Sequence, residues 1–405
     1  MNNMQTIKLD DAMRIVDETL AGIVPAGETI PVRQAIGRTL RADQVSRLDL
    51  PPFDKSAMDG YAIMAGDERD EYRLLETVPA GSVGKEKLTP GTAVRIMTGA
   101  AVPEGTGKVI MVEYTEENDG IVKVSDHRGK PNICLKAEDV RRGQAVLAAG
   151  TTLDPLDIAN LIGCGVTQVE VAPRIRVAVI STGDEIVDSP ADLAPGKIMN
   201  SNGPMLAGLA RRFGLEVVSE EILPDDRAAT VAGLRSAVER ADVVVMSGGV
   251  SVGDFDFVLD AMSDAGLTVH FARVRVKPGK PLTYATTGGS PPRIVFGLPG
   301  NPVSVFLTFH TFVLRAVALL AGARPLIGEF TLPLAENFKR RKAGRAQYVP
   351  CRLGSNGTIE QIEFHGSAHL TALSEADGFF FVPFGVEALS AGDGVKFLPL
   401  MSAWK

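Results

Sequence analysis

Glycine, hydroxyl and carboxylate residues cluster in the segment SGGVSVGDFD (247–256), which follows an apolar run and precedes a helical pattern. A glycine-rich turn before a helix leaves backbone N–H groups free, and with the helix dipole these groups form a site for phosphate or another oxyanion. Asp256 would then be placed to hold a magnesium ion that bridges the phosphate. A plain turn in which Asp254 caps the helix explains the same residues equally well, so both interpretations stay open.

Two lysines three residues apart stand in the segment KPGKP (277–281), where proline and glycine stiffen the turn. Two cations on one rim suit a tetrahedral anion, although lysines are more often solvated surface charges. The segment STGDE (181–185) adds hydroxyls and two carboxylates. The segment GLPGNPVS (297–304) adds a rigid turn, with Asn301 at the N-cap and Pro302 at the first position of a helix, which capping alone would also explain.

The elements that must position these segments are the strands of an open sheet. After Pro173 the chain alternates strands, loops and helices, a pattern typical of a parallel sheet covered by helices. Ligands bind outside the carboxyl ends of such strands, where the four segments would converge on an anionic ligand. The predicted strands are residues 174–180, 215–223, 242–248, 268–276 and 293–298, and the predicted helices begin near Pro204, after Asp226, at Asp254 and at Pro302.

Patterning divides the 405 residues into four predicted domains. Helical periodicity at 7–25 and 32–42 gives way to short β-like runs after a proline-rich segment, and strand-like runs return near the C-terminus. The predicted division is a discontinuous helical N-terminal domain (1–50 and 145–172), a β-rich domain (51–144), a doubly wound α/β domain (173–324) and a C-terminal β-barrel-like domain (325–405).

Composition excludes several classes of protein. A net charge of -7 gives no global positive field for a nucleic acid, and three cysteines without CxxC spacing argue against a disulfide framework or a structural zinc site. The N-terminus lacks the pattern of a secretion signal, which predicts a cytoplasmic protein. The apolar stretch 303–322 contains His310 and Arg315, so we expect a buried helix and no membrane association.

The β-rich domain carries polar residues in FDKSAMDGYA (53–62) and RIMTGAAVPEG (95–105), where plain strands would alternate. Read alone, Asp59-Gly60 and Thr98-Gly99 also fit hairpin turns. The chain has no Walker A or GxGxxG motif, and its five histidines stand at residues 127, 270, 310, 365 and 369. Classical kinases and dinucleotide enzymes are therefore disfavoured.

Taken together, these six segments resemble the molybdopterin molybdenumtransferase family, which is also similar to the E domain of gephyrin. The resemblance runs in order along essentially the whole chain, and the DGYA and TGA segments with the trailing β domain make it specific. It implies a homodimer of four-domain subunits, in which the doubly wound domain binds adenylylated molybdopterin and the β-rich domain of the partner subunit acts as a lid. It also implies magnesium and molybdate, with hydrolysis of the phosphate–AMP bond and transfer of molybdenum to the two pterin sulfurs. Molybdopterin adenylyltransferase and molybdoenzyme chaperones are the implied protein partners.

The resemblance also implies roles for individual residues. Lys277, Lys280, Arg345 and Ser367 would hold molybdate, and the glycine turn would cradle the pterin phosphate. The implied catalytic residues are Asp59, Thr98, Asp139, Glu185, Asp226 and Asp256, of which Asp226 and Asp256 would hold magnesium. The implied substrate-binding residues are Ser181, Thr182, Gly183, Gly248, Gly249, Ser251, Lys277, Lys280, Pro299, Pro302, Arg345 and Ser367.

Two departures from the family pattern affect substrate positioning. Cys134 stands where the family usually shows an arginine and Ala137 where it shows a glycine, with Lys136 as the candidate for the missing charge. Pro350 replaces a second basic position in the last domain. The alternatives are a non-catalytic scaffold paralogue of the gephyrin type and a molybdopterin adenylyltransferase, the second disfavoured by the four-domain layout.

Overall fold

The structure is a computed structural model that describes residues 5–24, 26–249, 258–323 and 330–400. Short strands separated by turns make up most of its N- and C-terminal parts, and helices concentrate in the middle. The α-helices in these ranges are α1 (Leu9–Leu20), α2 (Pro155–Gly163), α3 (Asn202–Arg212), α4 (Arg227–Arg240), α5 (Val258–Asp264), α6 (Pro302–Thr308), α7 (Leu314–Ala321) and α8 (Thr371–Glu375). The strands are β1 (Glu28–Pro31), β2 (Gln44–Val45), β3 (Lys55–Ser56), β4 (Gly60–Met64), β5 (Glu71–Val78), β6 (Thr92–Ile96), β7 (Thr106–Met111), β8 (Thr115–Asn118), β9 (Ile121–Val124), β10 (Ile133–Cys134), β11 (Ala145–Leu147), β12 (Gln168–Val171), β13 (Arg176–Thr182), β14 (Ile186–Val187), β15 (Ile198–Met199), β16 (Glu216–Leu223), β17 (Val243–Ser247), β18 (Thr268–Phe271), β19 (Val276–Lys277), β20 (Thr283–Thr286), β21 (Ile294–Leu298), β22 (Phe330–Pro333), β23 (Phe338–Lys339), β24 (Ala346–Leu353), β25 (Ile359–Gln361), β26 (Gly378–Val382), β27 (Ala388–Leu389) and β28 (Gly394–Pro399).

The central α/β unit contains a six-stranded sheet in the order β16-β13-β17-β21-β20-β18. The first four of these strands are parallel, and β20 runs antiparallel to both of its neighbours. Strand β17 is buried along its whole length, because helices cover both faces of a parallel sheet and favour continuous runs of valine. The sheet is therefore mixed, and the expectation of a purely parallel sheet is wrong at this edge.

The predicted strand at residues 268–276 is wrong in its extent. Strand β18 ends at Phe271 and pairs with β20 at the edge of the α/β sheet, whereas β19 pairs in parallel with β24 of the C-terminal unit. Strand β20 was not predicted from the sequence. The TVHFARVRV run (268–276) alternates well enough for one long strand, but its two halves pair with different sheets.

Helix α1 belongs to the same hydrophobic core as the α/β sheet. Leu9, Ala12, Val16 and Leu20 recur at helical spacing, are buried, and pack in one cluster with residues of β13, β17 and α7. Arg315 on α7 donates hydrogen bonds from Nε and Nη2 to the two carboxylate oxygens of Asp17, each at 2.6 Å, which ties the two helices together.

Residues 302–321 form one continuous helix, in which a π-helical turn at Phe309–Val313 joins α6 to α7. Its length and apolar composition are those of a membrane span, with a mean hydropathy of 1.9, but 72% of this apolar stretch is buried inside the protein. A core helix meets the same criteria, so the structure supports the predicted buried helix. His310 is 6% exposed within it.

Residues before and after the β-rich region come together. Strand β1 pairs with β12 and β2 pairs with β11, each antiparallel, and a shared core includes Val32, Leu40 and Leu161. The helix predicted at residues 32–42 is wrong, because only a 3-10 turn at Val32–Gln34 forms there. Between these stretches lies a second six-stranded sheet, in the order β7-β4-β6-β5-β9-β8.

The C-terminal unit is built on a sheet in the order β19-β24-β26-β28-β22, with β25 paired to β24. The strand pairing among the described residues runs from β19 to β22 without a pair that closes a barrel. Phe338, Phe380 and Phe397 are buried in its core. Cys134, Cys164 and Cys351 are free thiols, in agreement with the absence of CxxC spacing.

Candidate functional site

A cleft of about 440 Å³ lies between the loops at the carboxyl edge of the α/β sheet and the C-terminal unit. Its walls are loops that follow β13, β17 and β21, the KPGKP turn, and residues 345–348 and 364–367 of the C-terminal unit. Eight residues predicted from the sequence line this one cleft: Glu185, Gly248, Gly249, Lys277, Lys280, Pro299, Arg345 and Ser367.

Glycine is required where the chain leaves β17. Gly248 and Gly249 have φ angles of 95° and 64°, which side-chain-bearing residues rarely adopt, and a Cβ on Gly249 would lie 2.8 Å from both Thr182 Oγ1 and Val258 Cγ2. Thr182 is 3% exposed, and its hydroxyl has no hydrogen-bond partner among the described residues. A buried donor facing a glycine turn is an arrangement that suits a phosphate oxygen.

Strand pairing between the two units brings the cations together. In the parallel pair β19–β24, Lys277 stands opposite Gln347, two residues beyond Arg345, and all three side chains line the cleft. Lys280 lies on the same rim. The pKa of Lys277 is lowered from its ordinary value of 10.5 first by desolvation and then by repulsion from Arg345 and Arg340. Positive charges gathered at this density favour an anion between them.

Ser367 is held at the cleft by the turn after β21. Asn301 Nδ2 donates to Ser367 Oγ at 2.8 Å, and Val303 N donates to the Ser367 carbonyl at 3.1 Å. Asn301 occupies the predicted N-cap position of α6, but its side chain makes no capping bond and serves Ser367 instead. Because Ser367 Oγ accepts from Asn301, its own hydroxyl hydrogen remains available to donate into the cleft.

The STGDE turn brings one carboxylate to the cleft, and its second carboxylate binds the backbone of a neighbouring loop. Glu185 lines the cleft, and Gly183 has a φ of 147° and no room for a Cβ beside the Glu185 carboxylate. Asp184 and Asp225 bind each other's backbone: Asp225 N donates to Asp184 Oδ1 at 3.1 Å, and Asp184 N donates to Asp225 Oδ2 at 3.4 Å. This exchange joins the loops after β13 and β16.

Several predicted residues do not line the cleft. Asp226 caps α4, since its Oδ1 accepts from Ala229 N at 2.7 Å, and Pro302 is the first residue of α6. Ser181 donates to Asn200 Oδ1 at 3.0 Å beside a separate pocket. Ser251 and Asp256 lie outside the described residues.

The polar residues of the β-rich sheet form their own exposed cluster. Thr98 donates to Asp59 Oδ1 twice, from its backbone N at 2.6 Å and from Oγ1 at 2.7 Å. These bonds, with a smaller contribution from Arg95, lower the pKa of Asp59 below its ordinary value. Asp139 is exposed, and none of these residues lines the cleft of its own chain.

The family departures have distinct structural settings. Ala137 has a φ of 58°, so this position has the backbone conformation that favours glycine. Cys134 lies in β10, paired with Lys55 of β3. Pro350 lies within β24 opposite Phe379, and it does not line the cleft.

Four side chains near the cleft were not assigned a role from the sequence. Gln347 and Phe364 line it, and Asn202 donates from Nδ2 to the Gly300 carbonyl at 2.7 Å. Arg340 donates to the carbonyl of Arg345. Three of them belong to the C-terminal unit and come to the cleft through its pairing with the α/β unit, whereas Asn202 contacts the turn after β21 within the α/β unit.

No group of three or more histidine, cysteine, aspartate or glutamate side chains that could hold a metal ion occurs within the described ranges. The Asp226 carboxylate is engaged in capping α4. A magnesium ion usually takes one or two carboxylates, substrate phosphates and water.

Comparison with known proteins covers nearly the whole chain. Family models match in order: the MoeA N-terminal region (domain I and II) at residues 7–165, a probable molybdopterin binding domain at 178–319, and the MoeA C-terminal region (domain IV) at 331–400. Molybdopterin molybdenumtransferase of Staphylococcus aureus strain Mu50 is 35% identical over 381 residues, covering 91% of this chain and 90% of that protein. The Staphylococcus epidermidis strain RP62A enzyme of the same name is 33% identical over 379 residues, covering 90% and 89%.

Solved structures agree with these relatives. The crystal structure of the molybdopterin biosynthesis moeA protein from Pyrococcus horikoshii OT3 superposes with a TM-score of 0.83 at 31% identity, covering 98% of this chain and 100% of that chain. Because the three family models, the relatives and this structure all span the cleft and the β-rich sheet together, the chain belongs to the MoeA family of molybdopterin molybdenumtransferases.

Proposed function

We propose that the protein is a molybdopterin molybdenumtransferase, which uses molybdate and adenylylated molybdopterin to form the molybdenum cofactor with release of AMP. The observation that carries this proposal is the single cleft in which Lys277, Lys280 and Arg345 meet the glycine turn after β17. The cleft provides cations for one anion and backbone donors for another, as a reaction between an oxyanion and a phosphorylated pterin requires.

The oxyanion would lie among the three cations and Ser367. A dianionic molybdate accepts hydrogen bonds on all its oxygens, and Lys277, Lys280 and Arg345 supply charged donors, while Ser367 supplies a hydroxyl oriented by Asn301. Because the protein holds these donors before the anion arrives, little reorganisation is needed on binding.

The phosphate of the pterin substrate would lie at the turn after β17. Gly249 N and the Thr182 hydroxyl would donate to it, and Pro299 would close the opposite wall. Ser181 and Gly183 flank Thr182, at the end of β13 and in the tight STGDE turn. They would help to hold the Thr182 hydroxyl beside the phosphate. Glu185 is the carboxylate in the cleft that could orient water toward the phosphate–AMP bond.

Magnesium is part of the proposed mechanism and does not follow from the geometry of the described residues. Asp256 is its proposed protein ligand, and Asp226 could join it only by sharing the carboxylate that caps α4. When bound, the ion would neutralise charge on the substrate phosphates.

We also propose that the cytoplasmic enzyme acts as a homodimer in which Asp59, Thr98 and Asp139 act at the cleft of the partner subunit. These residues are exposed and polar, which suits a surface that closes over a charged ligand. The four-domain division proposed from the sequence fits this role, as does contact with an adenylyltransferase that supplies the substrate or a chaperone that receives the cofactor.

The test is release of AMP from adenylylated molybdopterin with and without molybdate and magnesium. We expect molybdate-dependent release by the wild type, and a loss of at least about a hundredfold in Lys277→Ala. Lys339→Ala is the matched control, because Lys339 is an exposed lysine of β23 outside the cleft. Binding of the pterin without AMP release by the wild type would contradict the proposal and favour a scaffold paralogue, whereas formation of adenylylated molybdopterin from ATP would favour an adenylyltransferase.

A further inference from the structure

Arg340 is a buried arginine behind the rim of the cleft. It is 8% exposed, and its guanidinium donates to three backbone carbonyls. Nη1 donates to Arg345 O at 2.9 Å, Nη2 to Pro383 O at 2.6 Å, and Nε to Val386 O at 2.6 Å. The planar fork of arginine therefore joins the segment that carries Arg345 to the turn after β26.

The charge of Arg340 is not neutralised at close range. Within the described part of the chain no carboxylate lies at ion-pair distance from it, and Glu387 is the acid that attracts it from further away. Burial lowers the pKa of Arg340, and Arg340 in turn lowers the pKa of Lys277. Burying a cation without a carboxylate at ion-pair distance costs folding free energy, and this one lies close enough to Lys277 to repel it.

We propose that Arg340 is a positioning residue of the oxyanion pocket, which fixes Arg345 at the cleft and adds positive charge behind Lys277. The inference rests on the proposed function, because it presumes that the cleft binds an oxyanion. A bound dianion would supply the negative charge that the cluster of Arg340, Arg345 and Lys277 lacks. The cost of burying Arg340 in the free protein is then partly recovered on binding.

The experiment is calorimetric titration of the full-length protein with molybdate, and with tungstate as a second probe. Four variants are compared with the wild type: Arg340→Gln, Arg340→Lys, Lys277→Met and, as the matched control, Lys339→Met. Lys339 directly precedes Arg340 in the chain, at the end of β23, but is exposed, so its variant removes a nearby charge without disturbing the hydrogen bonds of the Arg340 guanidinium. Thermal unfolding of each variant reports whether the fold is retained.

We expect Arg340→Gln to weaken oxyanion binding by at least about threefold, and Arg340→Lys to restore part of the loss, because it keeps the charge but cannot reproduce the fork. NMR titration of Lys277 provides a reading that a purely structural role would not produce. The pKa of Lys277 should rise in Arg340→Gln and stay near the wild-type value in Arg340→Lys. Lys339→Met should bind as the wild type does.

Wild-type affinity in both Arg340 variants, with binding lost in Lys277→Met, would overturn the role of Arg340 and leave the proposed pocket standing. Unchanged binding in Lys277→Met would instead contradict the proposed pocket itself. If Arg340→Gln does not fold, Arg340→Lys decides: weakened binding at a native melting temperature supports the proposal, and unchanged affinity overturns it.

Discussion

Ala137 adopts a backbone conformation that costs an L-amino acid free energy. Its φ of 58° lies in the left-handed region, where the Cβ approaches the following carbonyl oxygen. We expect Ala137→Gly to raise the free energy of unfolding by about 0.5–1 kcal/mol, because the relief of this strain exceeds the entropy that glycine adds to the unfolded chain.

Chemical denaturation of Ala137→Gly measures this effect. Asn132 has a similar φ of 55°, but asparagine tolerates this region, so Asn132→Gly serves as a control with a smaller expected gain. Equal or lower stability of Ala137→Gly would show that the surrounding loop imposes no strain on this residue.

Lys277 should make oxyanion binding sensitive to alkaline pH. Its pKa in the folded protein is lowered, so it loses its proton at a lower pH than an ordinary lysine does. The oxyanion binds the protonated form, and affinity should therefore fall as pH rises through this lowered pKa, by roughly threefold to tenfold.

Titration with molybdate across the alkaline range measures this dependence. Lys277→Arg should bind with little change over the same range, because arginine stays protonated. An identical alkaline loss in Lys277→Arg would assign the dependence to another group.

The sequence predicts the chemistry of the site, but it does not identify all of the residues that form it. Glycine turns and charged residues in KPGKP are visible because turn chemistry depends on neighbours in the chain. Arg340 was missed because its role arises from backbone carbonyls distant in sequence within the C-terminal unit, and Gln347 because its place at the cleft follows from the pairing of β24 with β19. Asn301 was expected to cap α6, but in the structure it binds Ser367, because its side chain has two possible partners and the sequence shows only one.

At the scale of elements, the helix at residues 302–321 contains a buried histidine at its π-helical turn. His310 donates from Nδ1 to the Phe306 carbonyl at 2.8 Å and stacks on the Phe306 ring. Burial, with a smaller effect of Arg212, lowers its pKa to about 4. The folded protein therefore holds this histidine neutral at pH values where the unfolded chain protonates it.

Stability should consequently fall as pH drops from about 6.5 to about 4, because over that window the unfolded state binds a proton that the native state excludes. The loss attributable to His310 is about 3.5 kcal/mol at most, since each pKa unit between about 6.5 and about 4 corresponds to about 1.4 kcal/mol. Urea denaturation of the wild type and His310→Asn between pH 4 and 7 measures it. If the free energy of unfolding of the wild type changes with pH in parallel with that of His310→Asn, the acid sensitivity arises from another group.

Strand periodicity predicted the four parallel strands of the α/β sheet because each lies within a single sheet, and three of them are almost continuously buried runs of apolar residues. It failed at residues 268–276, where β18 and β19 lie in different sheets, and at β20, which is short and follows a proline turn. Period-two alternation shows that a segment is extended but not which sheet it joins.

At the scale of the whole molecule, the proposed homodimer, with a lid that acts on the partner subunit, makes a definite prediction. We expect Asp59→Ala and Lys277→Ala to be inactive as separate homodimers, but to regain about half of the wild-type activity when combined in one heterodimer. That heterodimer contains one site with an intact lid and an intact cleft, because each subunit contributes the part that the other lacks.

Differently tagged subunits, purified together and assayed for AMP release, measure this complementation. A heterodimer without activity would show that the lid acts on its own chain. A lid variant that is active as a homodimer, such as Thr98→Ala at wild-type rate, would remove that residue from the proposed machinery.

The short strand pair between the α/β and C-terminal units also bears on how the cleft opens. Ala346 N donates to Arg275 O at 3.0 Å, and on the other side Ile7 binds the backbone of Arg273 and Arg275. Three distant parts of the chain thus share one backbone ladder directly behind Lys277. We expect this ladder to act as a pivot about which the two walls of the cleft rotate. The hydrogen-exchange rate of the Ala346 amide should therefore report how often the cleft opens. Any separation of the two walls must first break the hydrogen bond of this amide and expose it to solvent.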